Sequence, residues 1–158
     1  MDAIPEHRYR GARALIALHE VNLRGFLVTW RAAKAAGVAL PQTDDPDYAS
    51  LELLLKHVLG CARHYILWCC ESLDQALPQI DPAPEAEHVE EQMEAYTAHV
   101  LEGWRQPLRD VTEERFGESY ASRWGSMYCI DGMLEHAVMH PIRHTFQLEA
   151  LLNSIQPS

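Results

Sequence analysis

"HAVMHPIRHTFQ", residues 136–147, sets His136, His140 and His144 four residues apart, with Gln147 three further on. In the longer run from Cys129 to Ile155, the residues Ile130, Met133, Ala137, His140, His144, Gln147 and Leu151 recur at steps of three and four. That spacing is a helix seam. It puts three polar side chains, His140, His144 and Gln147, in successive positions where a bundle core takes Leu, Ile or Val. A buried apolar side chain there contributes about 1.5–3 kcal/mol, whereas an unpartnered polar group costs about 1–3 kcal/mol. Hydrogen bonds, water or an ion must offset the difference.

The rest of the chain repeats the helical pattern. Ala12, Ile16, His19, Leu23, Phe26, Trp30 and Ala33 form a first seam that Gly37 ends. Leu54, His57, Cys61, His64 and Trp68 form a second, flanked by Leu51, Leu55, Val58, Ala62 and Tyr65, so that this helix is apolar over a wide arc. Val89, Met93, Tyr96 and Val100 form a narrower third stripe behind an acidic start. "VALPQTDDPDYA" (38–49) and "QALPQIDPAPE" (75–85) read as loops from their prolines and aspartates. Residues 107–127 are too long for a plain connector and are expected to hide a short helix or cover a site. Four amphipathic helices with no strand pattern predict an all-α, four-helix bundle with long connections, one domain over residues 1–158.

Composition narrows the function. Thirteen Lys and Arg against 23 Asp and Glu give a net charge of −10, which repels a phosphate backbone, so no nucleic-acid partner is expected. No apolar run is long enough to span a bilayer, and the first residues lack a secretory pattern, so a cytoplasmic location and no membrane association are expected. Cys61, Cys69, Cys70 and Cys129 contain no C-x-x-C pair and read as buried free thiols.

The polar seam admits two readings. In one, the imidazoles hydrogen-bond to backbone or water. In the other they hold a metal: residues i and i+4 on a helix stand about 40° apart around the axis and about 6 Å along it, so His140 and His144 can converge on one point. His57, inward among leucines on the second helix, supplies a third ligand. A three-His set leaves a coordination position open, the mark of a reactive metal site. Pro141 lies between the two histidines and should bend or restart the helix. His136 is expected in an outer shell or on a neighbouring face, His19 and His64 as inward polar contacts, and His7, His88 and His99 at the surface or rim. Cys61, one turn from His57, could be a soft ligand, but a buried structural thiol is the better reading.

"LLKHVLGCARHYI" (53–65) together with "LEHAVMHPIRHTFQLEALL" (134–152) resembles the DinB-like, or YfiT-like, superfamily of metalloenzymes, whose name refers to DNA-damage-inducible proteins. The resemblance covers most of the chain by helix count and order, and its specific part is the two His segments. It implies a four-helix bundle, a divalent metal, zinc or nickel, held by His57, His140 and His144, and a homodimer. It also implies a small-molecule substrate, handled with a low-molecular-weight thiol where members act as S-transferases or as a mycothiol-dependent isomerase. The chain departs from many members in having Phe146 before Gln147, Arg143 where several carry a further His, and Pro141.

Three neutral imidazoles leave the charge of a divalent ion uncompensated, so a bound water is acidified towards a pKa of about 7 and a bound thiol is held as thiolate. The expected function is therefore a metal-dependent transferase or hydrolase, with Gln147 orienting a ligand or water. The alternative is a metal-binding stress or interaction protein without turnover.

Overall fold

The computed structural model describes residues 3–155. Its elements, in order, are α1 (Arg10–Ala35), a 3₁₀ turn (Pro46–Tyr48), α2 (Leu51–Ser72), α3 (Ala86–Trp104), the single turn α4 (Glu113–Phe116), the strands β1 (Ser119–Ala121) and β2 (Met127–Cys129), and α5 (Ile130–Ile155). Helix α1 packs along α5 and α2 along α3, while α2 also meets α5 and so joins the pairs. The result is a helical bundle with a small hairpin at one end. No helix among the described residues is long and apolar enough to cross a membrane.

Local chemistry sets the helix limits. α1 ends in a Schellman arrangement, with Val38 N–H donating to the Ala33 carbonyl and Gly37 N–H to that of Lys34. Gly37 has φ +67°, which a side chain would resist. α2 starts at Ser50, whose hydroxyl accepts from Leu53 N–H. α5 starts directly after β2, and the Cys129 Sγ accepts from Gly132 N–H in its first turn.

Every residue of the first predicted seam, from Ala12 to Ala33, is buried, as are Val89, Met93, Tyr96 and Val100 on α3. Indole N–H groups tie the elements together: Trp30 donates to the Leu51 carbonyl, Trp104 to Ala62 and Trp68 to Ala121. Each thus fills the core without leaving its donor unpaired.

Three expectations need correction. The chain is not all-α: residues 107–127 hold α4, and β1 pairs antiparallel with β2, Tyr120 opposite Tyr128. Strands of three residues carry too few positions for alternation to show in a sequence. On α2 the wide leucine arc takes the interior, so the row His57, Cys61, His64 turns to the flank, with His57 and Cys61 half-buried and His64 exposed. On α5 the inward residue after His144 is Leu148, and Gln147 is exposed. Around the helix axis position 148 stands about 40° from His144 and position 147 about 60° away on the other side, so Leu148 takes the inward place. α5 nevertheless runs unbroken through the buried Pro141.

Candidate metal centre

His140 and His144 lie on the buried face of α5, 6% and 4% exposed, and His57 reaches them from the flank of α2. The three side chains each offer a nitrogen within 4.8 Å of the others, so the structure brings together the three residues expected to converge. His57 Nε2 is 3.1 Å from His140 Nε2, and His144 Nε2 is 3.3 Å from the same atom.

The outer nitrogens decide what the inner ones can do. His57 Nδ1–H donates to Asp47 Oδ2 at 2.7 Å. His144 Nδ1–H donates to Gln147 Oε1 at 3.0 Å, with the Tyr48 hydroxyl 3.4 Å from the same nitrogen. A neutral imidazole carries one proton, so a proton on Nδ1 leaves a lone pair on Nε2. His57 and His144 therefore both aim lone pairs at His140 Nε2. His140 can donate its single proton to one of them, and the other stays unsatisfied in a largely buried place.

Protonation of His140 or His144 does not resolve this. Burial lowers the His140 pKa to about 2, aided by the neighbouring His144 and His57. Burial likewise lowers His144 to about 4, against a smaller upward effect of Gln147. Both are neutral near pH 7, the state in which imidazole ligates a metal. A cation satisfies all three lone pairs at once, and the donor set fits one.

Two outer partners were not anticipated. Asp47 and Tyr48 sit on the 3₁₀ turn, in the stretch read as loop. Asp45 caps that turn by accepting from Asp47 N–H at 3.0 Å, with Pro46 in its first position. The run Asp45-Pro46-Asp47 carried a turn signal, but nothing in it showed that the turn packs against α2 and meets His57. Gln147 takes one of the roles expected of it: from the rim it hydrogen-bonds His144, one of the three convergent residues, and orients its ring.

The remaining histidines are elsewhere. His136 is half-buried among the rings of Tyr65, Tyr128 and Trp124, with its centroid 6.3 Å from that of His140, and lies outside the convergent set. His19 is inward as expected, stacked at 4.1 Å on Trp104. His64, expected inward, is exposed on the flank of α2. His7, expected at the surface, is buried, its Nδ1–H donating to the Pro5 carbonyl at 2.9 Å. His88 is exposed, and His99 is half-buried with Nε2 accepting from Asp81 N–H. Cys69 and Cys70 are buried, but Cys61 and Cys129 are only half-buried, contrary to expectation.

Two clefts flank the cluster. One, of about 520 Å³, is lined by Asp47, Lys56, His57, Cys61, Arg63 and His64 among others. The other, of about 340 Å³, is largely apolar and includes Tyr48, Leu54, Phe146 and Gln147. A larger cavity of about 670 Å³ beside the first turns of α1 contains none of the three histidines. No protein-family model, curated protein or solved structure matches this chain.

Proposed function

We propose that the protein binds a divalent metal ion through His57, His140 and His144 and uses it as an enzyme, in the manner of the DinB-like superfamily that its His segments resemble. One observation carries the reading: Asp47 and Gln147 hold the outer nitrogens of two imidazoles so that their lone pairs meet at the third. Carboxylate and amide partners behind metal-binding histidines fix the tautomer and orient the ring in this way. A divalent ion held by neutral imidazoles supplies Lewis acidity and acidifies a coordinated water or thiol. Zinc or nickel suits the donors.

The protein's own part is to hold and to admit. Asp47 and Gln147 keep His57 and His144 in place. The half-buried His57, its side chain 23% exposed, leaves one side of the cluster reachable from the cleft it lines. A small molecule entering there meets His57, the one of the three histidines that lines this cleft. The reaction we propose is transfer to, or hydrolysis of, such a molecule. A low-molecular-weight thiol cosubstrate and a homodimer come into this proposal from the resemblance.

Elemental analysis of untagged, purified protein tests the reading directly. About one equivalent of zinc or nickel is expected, with loss in His57→Ala, His140→Ala and His144→Ala. Full metal content in all three variants would overturn it. Bound metal with no consumption of thiol or hydrolysis across a panel of electrophiles would instead favour a metal-binding protein without turnover.

A further inference from the structure

We infer that Cys61 is a fourth protein ligand of the resting centre, its thiolate completing a three-His, one-Cys set around the cation until an incoming water or thiol takes its place. The inference rests on the metal reading of the three histidines. Cys61 follows His57 by four residues on α2, the same spacing that lets His140 and His144 share one point on α5. Its Sγ stands 3.8 Å from His57 Nε2. Around a tetrahedral zinc ion, with bonds of about 2.1 Å to nitrogen and about 2.3 Å to sulfur, neighbouring N and S donors lie roughly 3.6 Å apart. The observed separation is close to that of two ligands of one ion.

The thiol sits at the edge of the cluster, since the set converging within 4.8 Å comprises the three imidazoles alone. Coordination has to draw Sγ inward, and Cys61 has a single side-chain torsion with which to do so. Its surroundings are those of a reachable donor: Cys61 is half-buried and lines the same cleft as His57 and Asp47. The other cysteines differ: Cys69 and Cys70 are buried further along α2, and Cys129 accepts from the first turn of α5.

On binding, the Cys61 S–H bond breaks, a metal–sulfur bond forms, and the proton passes to water in the cleft that Cys61 and His57 both line. The thiolate cancels one of the ion's two charges, which favours softer ions over magnesium or manganese.

The test uses the full chain loaded with Co²⁺ alone. Wild type should show visible d–d absorption together with an intense near-ultraviolet sulfur-to-cobalt charge-transfer band. Cys61→Ser should keep the first and lose the second. An unchanged near-ultraviolet band in Cys61→Ser overturns the inference and leaves the histidine site intact; failure of wild type to bind cobalt overturns both. Should Cys61→Ser not fold, iodoacetamide labelling of the wild type, read by peptide mass spectrometry, decides. Cobalt should abolish modification of Cys61, and equal labelling with and without the ion would sink the assignment.

Discussion

Asp47 Oδ2 accepts from His57 Nδ1 at 2.7 Å, from a 3₁₀ turn that precedes α2 and across ten residues of chain. The contact does more than join a loop to a helix. It fixes the His57 tautomer, and so determines that the nitrogen facing His140 is an acceptor.

Asp47→Asn should therefore weaken metal binding by roughly 10–100-fold while leaving the fold intact, because the Asp47 side chain is about half exposed and buries little. Competition against a chromophoric chelator reads the affinity, and circular dichroism the fold. Affinity equal to wild type would mean that His57 is oriented by packing alone.

Much of this site is legible in the sequence. The seams of α1 and α3 stand out residue by residue, because each buries a narrow stripe whose period survives in the sequence. His140 and His144 stood out as polar residues in an apolar row. α2 was harder: with leucines on both sides of the His57 row, periodicity could not say which edge of a wide arc faces solvent, and His64 fell on the exposed one. Asp47 and Tyr48 were illegible for another reason. A loop residue's partner is set by where the loop docks, and no local pattern encodes that.

His140→Leu should cost more stability with metal than without it. Without metal, His140 donates its one proton to either His57 or His144, so the variant leaves both of their Nε2 lone pairs without a donor where wild type leaves one. With excess chelator the variant is expected to be less stable by about 1–2 kcal/mol, a fall in Tm of roughly 2–8 °C. With zinc at about a hundred times its Kd, wild type gains about 2.7 kcal/mol more and the gap should widen. Thermal melts in the two conditions give the comparison. A gap that zinc leaves unchanged would show that the three imidazoles are a hydrogen-bond network and hold no metal.

Glu20 is a separate case, remote from the histidine cluster. It is buried on α1, with Arg105 3.3 Å away, itself buried just beyond α3, and the half-exposed Arg24 3.1 Å away. Removing one partner of a buried pair leaves the other's charge poorly compensated, so Glu20→Ala should cost about 3 kcal/mol. Arg24→Ala removes a screened partner and should cost under about 0.5 kcal/mol. Denaturant midpoints distinguish the two, and equal small losses would mean that Arg105 is held sufficiently by Glu102, 3.0 Å from it.

His19 provides a test of the core by pH. Complete burial lowers its pKa from 6.5 to about 3. Between those values the unfolded chain binds a proton that the folded one refuses, so stability is full above pH 6.5 and falls as pH drops through the window. One such group contributes a slope of up to about 1.4 kcal/mol per pH unit. His19→Phe keeps an aromatic ring against Trp104 and removes the titration. The slopes due to His140 and His144 are common to both proteins and cancel in the comparison. Unfolding free energy measured with chelator between about pH 4 and 6 should thus fall less steeply in the variant, by about that one-proton slope. Parallel curves would mean that folded His19 takes up its proton near the ordinary histidine value, and that the space beside Trp104 admits water.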